Sequence, residues 1–159
     1  MTIETAFLET PIGTAKIVGD ENGIQAVTFL DEKFPSSTKI PTCLQECISQ
    51  LNEYFEGKRT EFKLTIHPKA TAFQLKVWKS LLQIPYGKTT SYLEQSLNLG
   101  DQKAIRAVAS ANGKNPILII IPCHRVLGSD GSLTGFSAGI WRKKWLLAHE
   151  NPVKQESMF

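Results

Sequence analysis

Asn115-Pro116-Ile117-Leu118-Ile119-Ile120-Ile121-Pro122-Cys123-His124-Arg125-Val126 carries five consecutive apolar residues into a proline, a cysteine and a histidine. Such a run predicts a buried strand or extended segment over 117–121 that delivers a thiol to the floor of a pocket. A thiol becomes a good nucleophile only as the thiolate, and an adjoining imidazole and cation lower its pKa. Cys123 is therefore expected to be activated by His124 and Arg125, its neighbours in the chain.

Working outward, the segment before this stretch reads as helical. Phe73, Val77, Trp78, Leu81 and Leu82 recur on one face, and Ile84-Pro85-Tyr86-Gly87 ends the element. Thr90-Ser91 can cap a short helix reaching Leu97, and Gly100-Asp101 turns the chain into a second helix over 102–111, ended by Asn112-Gly113. Two short helices about a glycine-containing turn predict a helix-turn-helix. On the second helix Ala104, Ala107 and Ala111 share a small face, and Lys103, Arg106 and Ser110 a polar one. That small face suits close approach to a nucleic-acid groove, or equally tight packing against another helix. Downstream, residues 128–139 hold four glycines and read as a loop, and residues 140–150 as a closing helix.

The first third alternates as strands do. Runs at 3–8, 14–18 and 24–29, separated by turn-like segments, predict a three-stranded meander. Leu44, Cys47, Ile48, Leu51, Tyr54 and Phe55 then predict a helix packed on that sheet, and Phe62, Leu64 and Ile66 one more strand. The expected organisation is an α/β lobe over 1–67, a mainly helical lobe over 68–151, and a flexible tail over 152–159.

The chain has 159 residues, 42% of them hydrophobic, and a formal charge of +3. That charge conceals an asymmetry: residues 1–67 carry −4 and residues 68–150 carry +7. A basic half suits a polyanion, most often nucleic acid, though a solvated basic face has the same composition. No apolar run approaches the length of a membrane helix and no secretion signal is evident, so a cytoplasmic protein without a membrane partner is expected. Three cysteines argue against a disulfide framework. Cys43 and Cys47, four apart in a helical pattern, read as core filler; half of a metal site would need His67 and a further ligand.

Taken together, Phe73-Gln74, Val77-Trp78, Ile84-Pro85-Tyr86-Gly87, Ser91-Tyr92, Arg106-Ala107-Val108, Ala111-Asn112-Gly113, Asn115-Pro116, Pro122-Cys123-His124-Arg125-Val126 and Leu146-Leu147-Ala148-His149-Glu150 resemble the O6-alkylguanine-DNA alkyltransferases. These suicide repair proteins are also called methylated-DNA–protein-cysteine methyltransferases. The resemblance spans residues 73–150. Over the N-terminal lobe it extends only to the order of strands and helix.

The resemblance implies a small antiparallel sheet with a packed helix, followed by a helical lobe with a winged-helix-like helix-turn-helix. It implies single-turnover transfer of the alkyl group of O6-methylguanine in double-stranded DNA to Cys123, by a monomer that needs no cofactor and no metal. His124 would take the thiol proton through a water molecule, with Glu150 orienting the imidazole and Asn115 bracing the turn beneath. Tyr92 would hydrogen-bond the flipped base and supply a proton. Ser137 would meet O6 through its backbone N–H, and backbone groups at Cys123 and Val126 would read the guanine edge. Arg106 would fill the space left in the stack, with Ala107, Ser91 and Lys103 beside it against the DNA in the minor groove. For Arg125 two roles stay open: buttressing the site or binding a phosphate. Two departures from the family pattern, Phe136 and Ala138, bear on the pocket wall; a third, over 93–98, bears on packing.

Three rival readings follow from the same residues. A non-catalytic lesion-recognition relative would lack the cysteine that is present here. A helix-turn-helix regulator using Cys123 as a sensor would bind one operator sequence, and a thiol hydrolase would turn over activated esters.

Overall fold

The computed structural model describes residues 2–133 and 135–152. Two compact units divide the chain, Met1–Lys69 and Ala70–Phe159. All of the expected tail except Pro152 lies outside the described residues.

In the first unit, β1 (Glu4–Thr10), β2 (Gly13–Asp20) and β3 (Gly23–Leu30) form an antiparallel meander in the order β1-β2-β3. Alternation puts Ala6 and Leu8, Ala15 and Ile17, and Val27 on the buried side. Helix α1 (Thr42–Phe55) packs Leu44, Ile48 and Leu51 there, as its apolar spacing predicts. The strand expected over 62–66 is reduced to a single parallel bridge between Ile66 and Ile24. Thr65 and His67 bond the backbone of Ile24, and the next residue, Pro68, has no N–H to extend the ladder.

The second unit is mainly helical. Helix α2 (Ala72–Leu81) starts from a capping box in which the Thr71 and Gln74 side chains satisfy each other's backbone N–H groups. Val77, Trp78 and Leu81 are buried on it, whereas Phe73 and Leu82, expected on that face, are exposed. Both lie at the helix ends, where the packed stripe has run out.

Ser91 caps α3 (Tyr92–Asn98), accepting from Glu94 N–H at 3.0 Å, and Thr90–Ser91 pairs in parallel with Val126–Leu127 as strands β4 and β5. The helix expected over 102–111 begins as a 3-10 turn capped by Asp101 and becomes α-helical only as α4 (Ile105–Gly113). α3 and α4 are joined by a buried amide pair, Gln95 with Asn112, at 2.6 and 3.0 Å. The alanine face is divided: Ala111 is buried and its carbonyl accepts from Trp78 Nε1 at 2.8 Å, while Ala107 is exposed beside Arg106. Helix α5 (Ile140–Glu150) closes the unit. Among the described residues no helix is long and apolar enough to cross a membrane.

Candidate active site

The apolar run 117–121 is not a strand. It folds into a tight turn in which Ile121 N–H bonds the Ile117 carbonyl at 3.0 Å and Ile120 N–H the Leu118 carbonyl at 2.8 Å. Ile119 at its centre takes φ +72°, a left-handed conformation that costs a β-branched residue about 1–2 kcal/mol. Burial of all five side chains offsets that cost, and Asn115 supplies the missing hydrogen bonds. Its Oδ1 accepts from Ile117 N–H at 2.9 Å, and its Nδ2 donates to the Ile121 carbonyl at 2.7 Å and to Cys123 Sγ at 3.2 Å. One amide thus braces the turn and holds the sulfur.

Cys123, His124 and Arg125 form a 3-10 turn directly after it. His124 is fully buried, and its Nε2 lies 2.7 Å from Glu150 Oε2 at the end of α5. Arg125 donates from Nε to Glu150 Oε1 at 2.8 Å, from Nη2 to Oε2 at 3.1 Å, and from Nη1 to the Ile84 carbonyl at 2.7 Å. Gly87 N–H adds a longer contact to Oε1 at 3.4 Å. Of the two roles open to Arg125, this placement fits the buttress. Arg125 is 6% exposed, and its guanidinium is engaged inside the protein by Glu150 and the Ile84 carbonyl.

These contacts set the protonation states. Burial opposes a charge on Glu150, but His124 and Arg125 outweigh it and hold the carboxyl well below the usual carboxylate range. Burial likewise lowers the pKa of His124, only partly countered by Glu150, so the imidazole is neutral at pH 7. A neutral imidazole facing a carboxylate through Nε2 donates there and carries its lone pair on Nδ1. Nδ1 is buried without a hydrogen-bond partner among the described residues, leaving its lone pair available to a proton.

In the resting protein Cys123 is not held as a thiolate by its neighbours. Burial pushes the thiol up to about 11, while Asn115's hydrogen bond and the charge of Lys143 pull it the other way. His124 Nε2 and Arg125 Nε and Nη2 engage Glu150 instead. The cation that acts on Cys123 is Lys143, missed in the sequence: fully buried, it donates to the Val126 carbonyl at 2.7 Å and lies 5.9 Å from the centre of the Tyr92 ring. Burial lowers Lys143 to about 8. The signal was there: Lys143, Leu146, Leu147 and Glu150 share one face of α5, so a lysine stands on the buried stripe.

Tyr92 is half-buried at the start of α3. Gly135, at φ +74°, passes so close that a Cβ there would sit 2.9 Å from the Tyr92 hydroxyl. Ser137 is exposed in the turn that follows, and Phe136 is buried. Val126 has its carbonyl engaged by Lys143 and keeps a second lone pair. Arg106, Lys103 and Ala107 are exposed together on and before α4; Ser91 lies between surface and interior with its hydroxyl used as a helix cap. Among the described residues no group of three or more His, Cys, Asp or Glu could hold a metal ion. Cys47 is buried and pushed up to about 12, as a core thiol is.

Comparison with known proteins covers both units. Residues 72–152 match the 6-O-methylguanine DNA methyltransferase DNA binding domain, and residues 3–68 the 6-O-methylguanine DNA methyltransferase ribonuclease-like domain. A methylated-DNA–protein-cysteine methyltransferase of Methanosarcina barkeri is 44% identical over 151 residues, which cover 91% of this chain and 94% of that protein. The crystal structure of Mycobacterium tuberculosis O6-methylguanine methyltransferase superposes with a TM-score of 0.85 at 41% identity, covering 95% and 94% of the two chains. A second structure, of Mycobacterium tuberculosis OGT in complex with DNA, gives 0.83 at 42% identity and 92% and 91% coverage.

Proposed function

The chain belongs to the 6-O-methylguanine DNA methyltransferase family, and from that premise we propose that it repairs O6-methylguanine in double-stranded DNA by moving the methyl group irreversibly onto its own Cys123. The observation that carries this reading is the chain of contacts Asn115–Cys123 and His124–Glu150–Arg125, a held sulfur beside a neutral base with an ionised orienter.

In the step itself the Cys123 sulfur attacks the O6-bound carbon. An S–C bond forms, the C–O6 bond breaks, and its electron pair passes to the guanine. The thiol proton goes to His124 Nδ1 through one water molecule, and the imidazolium so formed is stabilised by Glu150, itself held by Arg125. Guanine takes a proton from Tyr92, restoring its neutral form, and the tyrosinate regains one from solvent as the imidazolium releases the thiol's proton. The product sulfur is a thioether, which has no good leaving group, so each chain acts once. Lys143 favours the thiolate electrostatically as it forms, and the backbone near Val126 and Ser137 faces the base.

A duplex hides the lesion, so the nucleotide must swing out. Arg106 on α4 takes the vacated place in the stack, with Lys103 and Ala107 along the same exposed edge in the minor groove. The segment 68–151 is thus the DNA-binding and acceptor domain of a chain that works as a monomer. Incubation with duplex labelled on the O6-methyl group, followed by peptide mass mapping, tests the assignment. Label on the Cys123 peptide is the expected result, and label on any other peptide would overturn it.

A further inference from the structure

The turn that carries Ser137 is fastened at several points. Gly135 lies against the Tyr92 hydroxyl, Phe136 is buried, and the Phe136 carbonyl accepts from Gly139 N–H at 3.1 Å. Further fastening comes from α5, where the Arg142 and Lys143 N–H groups donate to the Gly139 carbonyl at 3.2 and 3.3 Å and Arg142 Nη1 donates to the Ala138 carbonyl at 2.9 Å. Arg142 is only 4% exposed, while Trp141 beside it is 55% exposed. Its guanidinium carbon lies 4.5 Å from the centre of the Trp141 ring, so the indole roofs the cation on the solvent side. A planar guanidinium held between a carbonyl and an aromatic face is fixed in position as well as in charge.

We propose that Arg142 is a positioning residue that clasps the 135–139 turn and thereby makes the alkyl pocket selective for small groups. This rests on Cys123 as the acceptor and on Ser137 as part of the pocket wall. A wall that cannot move presents its backbone donors to the lesion in one geometry, which favours a methyl group. The same rigidity forces a bulky group to strain the turn before its reacting carbon reaches the sulfur. Releasing the clasp has opposite consequences for the two: methyl transfer loses preorganisation, and bulky transfer gains room. A purely structural role would slow both alike.

The test compares single-turnover transfer from duplexes bearing O6-methylguanine or O6-benzylguanine. Arg142→Met is expected to slow methyl transfer about tenfold, the loss associated with a charge-assisted hydrogen bond, and to slow benzyl transfer less or accelerate it. The methyl-to-benzyl ratio should fall at least about fivefold. Arg142→Lys keeps a donor but not the planar face and should fall between. Trp141→Ala, at an exposed site compatible with folding, should move the ratio the same way by about two- to threefold. Iodoacetamide labelling of Cys123 reports whether each variant keeps a competent acceptor. An unchanged ratio in variants that label at the unsubstituted rate overturns the clasp. Failure of the unsubstituted chain to transfer from either duplex counts instead against the acceptor reading, and takes the clasp with it.

Discussion

His124 Nε2 and Glu150 Oε2 stand 2.7 Å apart with both side chains closed to solvent. The carboxylate fixes the imidazole proton on Nε2 and leaves the lone pair on Nδ1, the base of the proposed step. Glu150→Gln should invert that arrangement, since an amide can donate to Nε2. Transfer should fall by about two to four orders of magnitude. Arg125 would also lose its buried anion, at a cost of about 3–5 kcal/mol. Single-turnover rates and urea unfolding read the two effects, and a variant with wild-type rate would refute the orienting role.

Cys123 is a protonated thiol in the resting protein, pushed up to about 11 by burial. Its reaction with iodoacetamide should therefore rise about tenfold per pH unit from pH 7 to 9 without reaching a plateau. Asn115→Ala removes a hydrogen bond that favours the thiolate, so labelling at any fixed pH should slow further. Transfer from DNA follows a different profile, because His124 titrates below its ordinary value of 6.5 and stays a base as the pH falls past that point. A labelling plateau near neutrality would contradict the resting thiol.

Burial of the Lys143 ammonium costs stability. Its pKa is about 8 in the folded chain against an ordinary 10.5, so the unfolded chain binds the proton more tightly in that window. The linked stability is low at neutral pH and is regained as the pH rises from about 8 to 10.5. Lys143→Met removes the penalty of about 3 kcal/mol and forfeits about 1 kcal/mol for the bond to Val126. The expected variant is more stable at pH 7 by about 1–2 kcal/mol, flatter in its pH dependence, and slower in transfer. Calorimetry across pH 7–10 checks the sign.

Arg106 is exposed on α4 and contributes little to the folded state. Arg106→Ala should leave unfolding within about 0.5 kcal/mol of the parent. It should slow transfer from duplex DNA at least about tenfold while sparing transfer from free O6-methylguanine base, which needs no flipping. Equal loss on both substrates would remove its assignment to the vacated stack.

Much of this molecule was legible in local pattern. The meander, α1, α2 and α5 follow from period-two and helical spacing, and Cys123, His124 and Glu150 from motif. The stretch 117–121 misled because an unbroken apolar run specifies burial without specifying path. A strand and a turn bury five such residues equally, and the decision lay in Asn115, whose side chain supplies the hydrogen bonds the turn lacks. The electrostatic help to the thiol was misplaced for a related reason. Adjacency in sequence suggested His124 and Arg125, but a 3-10 turn sends consecutive side chains in different directions, and the nearby cation comes from Lys143 on α5. Arg142 was unremarkable in sequence, since its partners Ala138 and Trp141 become meaningful only once the turn before α5 is formed.

The most direct test is a titration of the chain with excess duplex containing O6-methylguanine, counting lesions repaired per chain and weighing the Cys123 peptide. Repair should stop at one equivalent with that peptide heavier by one methyl group. Repair beyond one equivalent, or a plateau that persists after Cys123→Ser, would contradict the account.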